Sequence, residues 1–108
     1  MSITQEHIEF ALELFDELGG LTTRKMMGGL CIYQDGLIFS IIHSDGTLWL
    51  KGKGDFAEWM AAEGWEKWSY QRDNGTVTFM PYWRLSEDAL DDPELACNLA
   101  RKTISALS

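Results

Sequence analysis

A chain of 108 residues with 45% hydrophobic and 24% charged residues has the composition of one soluble globular domain, spanning residues 1–108. Its formal net charge of −8 repels the phosphates of a polyanion, which disfavours non-specific binding of DNA or RNA. No apolar run approaches the roughly 20 residues that cross a bilayer, and the first ten residues lack the pattern of a signal peptide, so we expect a cytoplasmic domain without membrane contact.

The charge is unevenly distributed along the chain. Residues 1–17 hold five acidic residues and no Lys or Arg, and residues 87–108 hold five acidic and two basic residues. Residues 18–86 hold seven of each sign and are therefore neutral. A local basic patch could be formed within this neutral middle segment.

Residues 4–18 have the apolar spacing of an amphipathic helix whose other face is acidic. Thr4 is the candidate N-cap, but His7 occupies the third helical position, so we expect no capping box. Gly19-Gly20 ends the helix. A short extended piece is expected at 21–23.

Two Asp-Gly turns, Asp35-Gly36 and Asp45-Gly46, predict a three-strand meander over 30–33, 37–43 and 47–51. Both faces of the middle strand are apolar, which is typical of a central strand that is covered on each side. If helices cover only one side, the other side is a candidate dimer surface. The paired Gly28-Gly29 before the meander indicates a bulge or a bend.

The second half of the chain continues with helices and one more hairpin. Asp55 is expected to cap a helix over 56–63, and Asn74-Gly75 predicts a hairpin of strands 68–72 and 76–80. Pro81 places 81–84 at a sheet edge or outside the sheet. A helical turn at 86–90 and a helix from Pro93 to about Ala106, capped by Asp92, complete the chain.

The order of elements is α-β-β-β-α-β-β-α. We therefore predict an α+β fold with a largely antiparallel five-stranded sheet and helices packed on it.

The residues that carry chemistry form no recognisable catalytic, cofactor or metal motif. Cys31 and Cys97 are expected to be reduced, buried thiols. His43, which ends a strand beside a turn, is expected to be exposed, and pairing with Cys31 as a nucleophile would need cross-strand geometry and a third orienting group. We therefore predict neither an enzyme nor a cofactor.

The middle segment is rich in aromatic and basic residues. Its aromatic residues are Trp65, Trp68, Tyr70, Tyr82 and Trp83, and the basic residues that can lie near them are Lys51, Lys53, Lys67, Arg72 and Arg84. Such a set can form a stacking platform for single-stranded nucleic acid. We favour the other interpretation, in which the aromatics cover the sheet against the second and last helices, because the chain lacks the net positive charge of such a binder.

Several short motifs occur in an order that resembles one family. They are Arg24-Lys25-Met26-Met27-Gly28-Gly29, Ile32-Tyr33, Asp35-Gly36 with Phe39, Leu48-Trp49-Leu50-Lys51, Tyr70 with Arg72, Tyr82-Trp83-Arg84, and Asp91-Asp92-Pro93-Glu94 leading to Ala100-Arg101-Lys102. Together they resemble the N-terminal domain of TfoX/Sxy, the regulator of competence genes, over most of the chain.

This resemblance implies a fold of the secretion-chaperone-like kind, a plausible homodimer, a regulatory role through protein–protein interaction and no catalytic residues. Met27 stands where the family usually has Phe, and Leu99 where it often has Trp. The chain stops at Ser108, whereas the best-known competence regulators continue into a helical C-terminal domain. We therefore expect part of the regulator's action to be missing.

We predict the partner surface at Arg24, Lys25, Arg72, Tyr82 and Arg84, because core packing demands no charge at these motif positions. The alternative is that the three arginines pair with the many acidic residues and only order the sheet edge. Two further functions stay open: direct nucleic-acid binding by the middle segment, and binding of a small molecule in a concave aromatic pocket.

Overall fold

The computed structural model describes residues 3–26 and 28–108. Within these ranges four α-helices and six strands are formed. The helices are α1 Gln5–Leu14, α2 Gly54–Ala62, α3 Glu87–Leu90 and α4 Pro93–Leu107, with a 3₁₀ turn at Asp16–Leu18 after α1. The strands are β1 Leu21–Met26, β2 Gly29–Gln34, β3 Leu37–Ile42, β4 Leu48–Lys51, β5 Lys67–Gln71 and β6 Val77–Arg84.

The six strands form one sheet in the order β1-β2-β3-β4-β6-β5, and every neighbouring pair is antiparallel. The predicted α+β fold with an antiparallel sheet is confirmed. The sixth strand is β1, because the extended piece expected at 21–23 continues to Met26 and pairs with β2 along its whole length. Since the two edges of the sheet are β1 and β5, these strands have free backbone groups along one side.

Helix α1 begins with a capping box, which the sequence analysis excluded. Thr4 Oγ1 accepts the backbone N–H of His7 at 3.3 Å, and His7 Nδ1 accepts the backbone N–H of Thr4 at 3.4 Å. The prediction was wrong because an imidazole nitrogen can accept the bond that Glu or Gln usually accepts at this position.

A main core lies between the helices and one face of the sheet. The rings of Phe15 and Phe39 meet edge to face with centroids 5.2 Å apart, and the Cys97 thiol donates to the Leu14 carbonyl at 3.4 Å. Leu99, at the position where the family often has Trp, is also buried here. Met27, which stands where the resembled family usually has Phe, lies outside the described residues.

A bulge between β2 and β3 decides which side chains reach this core. Ile32 pairs with Ser40 but Tyr33 pairs with Ile38, so Phe39 is the extra residue on β3. Phe39 and Ile42 face the helices, whereas Ile38 and Ile41 belong to a second cluster on the other side of the sheet. The strict alternation of side chains in a regular strand is therefore broken at Phe39.

Two predictions for the second half of the chain are wrong in position. The N-cap of α2 is Lys53 without a side-chain bond, and Asp55 lies in the first turn. Tyr82–Arg84 do not leave the sheet but pair with β4, and Trp83 also pairs with Lys67 of β5. Strand β6 tolerates Pro81 because the register between β6 and β5 is irregular at this position, so that no ladder N–H is required of it. The Pro81 carbonyl accepts the Gly52 N–H at 2.9 Å.

The other terminal elements were predicted correctly. Asp92 caps α4 by accepting the N–H groups of Glu94 and Leu95 at 3.1 and 3.2 Å, with Pro93 at the first helical position. The helical turn expected at 86–90 is α3. In the described part of the chain no helix is long and apolar enough to span a membrane.

The glycine pair lies at the turn between β1 and β2. Gly28 has a φ of 84°, a conformation that side chains other than hydrogen disfavour. Gly29 starts β2, where a Cβ atom would clash with the carbonyl oxygen of Ile42 on β3. Close approach of two backbones, rather than a bulge, explains this residue.

We expect Gly29→Ala to destabilise the domain by about 1–3 kcal/mol, because the Ile42 carbonyl belongs to a paired strand and cannot move away without disturbing its ladder. Urea unfolding of the variant and of the wild type measures this difference. An unchanged midpoint and slope would contradict the close approach described above.

Candidate functional site

The face of the sheet that points away from the helices is here called the open face. Its central row runs across five strands, from one basic side chain to another. The register gives the pairs Arg24–Cys31, Cys31–Ile41, Ile41–Trp49 and Trp49–Arg84. Two arginines that are 60 positions apart in sequence therefore end the same row, and three apolar side chains lie between them.

The middle of the open face is buried, although the helices that the structure describes pack on the other face. Cys31, Ile41, Trp49 and Tyr82 are each less than 8% exposed. Their cover is formed by partly buried residues of the same sheet, namely Tyr33, Ile38, Trp68 and Met80. The open face thus carries a second small core that the sheet covers with its own side chains.

His43 is partly buried and packs against this second core, so the expectation of an exposed residue was wrong. Its ring stacks on Trp49 at 4.7 Å between centroids and meets the edge of Trp68 at 4.5 Å. Its Nε2 atom is buried and has no hydrogen-bond partner among the described residues. Burial lowers the pKa of His43, and the charge of Asp45 opposes this only in part. The imidazole is therefore held neutral as a packing group.

A short hydrogen-bond chain fixes the indole on which His43 stacks. Trp49 Nε1 donates to Thr47 Oγ1 at 2.9 Å, and this hydroxyl donates to Asp45 Oδ1 at 2.7 Å. Asp45 also accepts the Thr47 N–H at 3.0 Å, and these bonds lower the pKa of its carboxyl group. The β3–β4 turn thereby holds Trp49 in one orientation.

Tyr82, one of the predicted partner residues, lies beneath the surface. The residue is 7% exposed, its ring lies 5.9 Å from that of Trp68 between centroids, and burial raises the pKa of the Tyr82 hydroxyl to about 12. The Lys51 ammonium lies 6.0 Å from its ring centroid. Any contribution of Tyr82 to a partner surface is therefore through the packing of its neighbours.

The other four predicted residues are exposed, but they do not form one cluster. Arg24 and Arg84 lie on the open face four strand spacings apart, or about 19 Å on a flat sheet. Arg72 is at the hairpin end of β5, where its Nε donates to Thr78 at 2.8 Å. Lys25 pairs with Leu30 and so points to the opposite face from Arg24.

The acidic partners expected under the alternative interpretation are few. Between described residues one salt bridge is formed, from Arg84 to Glu66 at 4.0 Å, and both side chains are more than half exposed. A pair of this geometry in water contributes little to stability. Neither Arg24 nor Arg72 is held by a carboxylate among these residues, which leaves both guanidinium groups available to a partner.

The strands are the basic part of the molecule. The six strand segments contain five basic residues and no acidic residue: Arg24, Lys25, Lys51, Lys67 and Arg84. Residues 21–51 and 66–84, which include the turns, each hold three basic and two acidic residues, so the sheet region carries +2. The rest of the chain must then carry −10 to give the total of −8.

The aromatic residues of the middle segment are divided between the two faces. Trp65 packs with the main core and Trp83 meets Met60 of α2 around Gly52, whereas Trp68 and Tyr82 belong to the second core. The interpretation that they cover the sheet against the helices is therefore correct only for the first two. The face that each side chain reaches follows from the alternation of side chains along its strand.

The thiols give no sign of a nucleophile. Both cysteines are free and buried, as predicted. The Cys31 thiol contacts the Met26 sulfur at 3.8 Å rather than the His43 imidazole, and burial raises the pKa of Cys31. Among the described residues, no three His, Cys, Asp or Glu side chains are grouped as metal ligands.

Two hollows lie away from the second core. One, of about 400 Å³, is lined by residues of α1 and of the β1–β2 turn, including Ile8, Lys25 and Gly29. The other, of about 560 Å³, is open to solvent and lined by α2 and α4, with Phe56, Trp59 and Lys102. Neither is built from the aromatic residues of the open face.

Comparison with known proteins identifies the family. The family model of the TfoX N-terminal domain matches residues 13–107, which is most of the chain and includes the whole sheet. No curated protein matches significantly.

The pKa of His43 predicts a pH dependence of stability. Because burial lowers this pKa below its ordinary value of 6.5, the unfolded chain binds the proton more tightly than the folded chain. We expect the free energy of unfolding to be nearly constant between about pH 7 and 8 and to fall as the pH is lowered through about 6 towards 5. Urea unfolding at a series of pH values measures it.

Two variants assign this slope. His43→Phe should remove the fall in stability between about pH 7 and 5, because no proton binds at that position. His7→Gln, the matched control, removes the second histidine and keeps an acceptor for the Thr4 N–H, so the part of the fall that His43 causes should remain. A slope that persists in His43→Phe would contradict the assignment.

Proposed function

Because this chain belongs to the TfoX N-terminal domain family, we propose that it is a non-enzymatic regulatory domain of the competence-regulator type that binds another protein through the open face. The observation that carries this proposal is the charge of the open face. Three of the five basic strand residues, Arg24, Lys51 and Arg84, lie on it, and no strand contains an acidic residue in a protein of net charge −8. An acidic segment of a partner would be attracted to the open face and repelled by the helices.

The contacts of the exposed cations support this role. Arg24 and Arg72 have no carboxylate within salt-bridge distance among the described residues, and the Arg84–Glu66 contact of 4.0 Å is easily exchanged for a better one. A guanidinium group binds a carboxylate through two parallel hydrogen bonds, which adds direction to the attraction. The buried row between Arg24 and Arg84 gives these side chains a rigid support.

The states of the possible catalytic groups favour binding over catalysis. A nucleophilic thiol requires a lowered pKa, whereas the pKa of Cys31 is raised. His43 packs against two indoles and its Nε2 atom is buried, which keeps this nitrogen away from a substrate. Two free buried cysteines also suit the reducing cytoplasm, where we propose that the domain acts.

Single-stranded nucleic acid is the second candidate ligand, because the open face combines cations with aromatic rings. The burial of most of these rings argues against this ligand. Trp49 and Tyr82 are 5% and 7% exposed and are unable to stack on bases, so that Tyr70, at 43%, is the well-exposed aromatic residue on this face. Stacking of successive bases needs several exposed rings.

We expect the double variant Arg24→Glu, Arg84→Glu to lose a protein that the wild type captures from a lysate of the source organism. The matched control is Lys53→Glu, Arg101→Glu, which changes the charge equally at exposed positions on the helix side. Capture with mass spectrometry compares the three forms. The affinity for the identified partner should fall at least about tenfold in the first variant only.

The same variants separate the alternatives. Both should melt near the wild-type temperature, because exposed substitutions usually have small effects on stability. If the open-face variant retains every captured protein, the partner surface lies elsewhere. Salt-sensitive binding of a short single-stranded oligonucleotide by the wild type, with no protein partner, would instead support nucleic-acid binding.

A further inference from the structure

The β5–β6 hairpin extends beyond the rest of the sheet as a two-stranded arm. Strand β4 pairs with β6 only at Tyr82–Arg84, whereas the first part of β6, at 77–79, pairs with β5 alone. Most residues of β5 and of this part of β6 are exposed. A two-stranded ribbon is only marginally stable by itself, so further pairing would stabilise it.

This arm carries apolar side chains in water on both of its faces. Val77 and Phe79 are 52% and 62% exposed on the helix-side face, and Tyr70 is 43% exposed on the open face. Ser69 is the cross-strand neighbour of Phe79, and its side chain is too small to cover the ring. Clustered apolar exposure of this kind marks an interaction surface.

The free edge of β5 is also the less protected of the two sheet edges. Natural edge strands avoid pairing with other chains by carrying charges, especially Lys. Strand β1 has Arg24 and Lys25 side by side, whereas β5 has Lys67 alone at its first position. The backbone groups of Trp68–Gln71 on the outer side therefore face no charged deterrent on their own strand.

We propose that the β5 edge is a homodimer interface, in which a second copy of this chain pairs its β5 antiparallel to the first. With Ser69 on the two-fold axis, Trp68 lies opposite Tyr70 of the second copy, and Lys67 lies opposite its Gln71. Aromatic pairs stabilise antiparallel strands, and no like charges meet in this register. The two sheets join into one of twelve strands.

The charge distribution favours a second copy at this edge, although each copy carries −8. The acidic helix α1 lies near the β1–β2 turn, where the Ile3 N–H donates to the Gly28 carbonyl at 2.8 Å. In the strand order, β1 and β5 are the opposite ends of the sheet. Two copies that meet at β5 therefore keep their acidic α1 helices far apart. The segment at the interface, residues 66–84, carries a charge of only +1 in each copy.

Sedimentation equilibrium and light scattering test the interface by mass. We expect the wild type to approach twice 12.3 kDa as its concentration is raised. Ser69→Lys and Ser69→Glu should each raise the dissociation constant at least about tenfold, because the introduced charges oppose each other across the axis. An equimolar mixture of the two variants should restore the dimer.

The control is Thr23→Lys on β1, the other edge, which should leave the mass unchanged. Circular dichroism establishes that each variant is folded. If the Ser69 variants do not fold, hydrogen exchange of the wild type decides the matter. The outward N–H groups of β5 should then exchange more slowly at high concentration than at low concentration.

Three results would overturn the proposal: a wild type that stays at 12.3 kDa at its highest soluble concentration, a dimer that either Ser69 variant leaves intact, or a mixture that stays monomeric. The interface does not rest on the proposed partner surface, because the test measures mass and the partner test measures binding by Arg24 and Arg84 variants. Either proposal can fail alone.

Discussion

The structure depends on one constraint, which is that the central strands are apolar on both faces while the described helices cover only one. The bulge at Phe39 sends this ring and Ile42 to the helices and leaves Ile38 and Ile41 on the other side. Because none of the described helices covers that side, burial has to come from the sheet itself. Trp68 on the edge strand β5 therefore reaches over Tyr82 to the His43 ring, and the second core is closed by aromatic side chains. The hydrophobic effect is satisfied on both faces by two different layers of cover.

The second core also explains why polar groups are placed as they are. A histidine whose Nε2 has no partner in the described part of the chain costs free energy, but its ring packs against two indoles. The charged residues of the open face are confined to its rim, since the middle of the row is buried, and the rim holds cations because the acidic residues are on the helices and turns. Core packing and surface charge are thus consequences of the same division between a helix layer and an open face.

The sequence predicted those features that short stretches determine. Two Asp-Gly turns and one Asn-Gly turn placed the five strands that they join, and Asp92-Pro93-Glu94 placed the start of α4, because backbone geometry at these residues is local. It failed where a distant contact decides. His43 looks exposed until Trp68, 25 positions later, is known to cover it. Pro81 looks like the end of a strand, yet β4 and β5 hold Tyr82 and Trp83 in the sheet. The imidazole of His7 was missed as a cap because the usual acceptors are Glu and Gln.

The candidate site also depends on contacts between residues that are distant in sequence. The sequence shows that Arg24, Lys25 and Arg84 are basic residues that core packing does not require. The alternation of side chains along β1 then places Arg24 and Lys25 on opposite faces of the sheet. The order of the strands places Arg24 and Arg84 at the two ends of one row. Neither parity relative to the core nor strand order can be read from one sequence. The resulting row has consequences for the shape of a partner. Two arginines about 19 Å apart match an extended segment of about six residues, since a strand advances by about 3.3 Å for each residue. A compact ion or a small metabolite would reach one end only. The row therefore favours a polymeric ligand, and the buried aromatics between its ends favour a peptide over stacked bases.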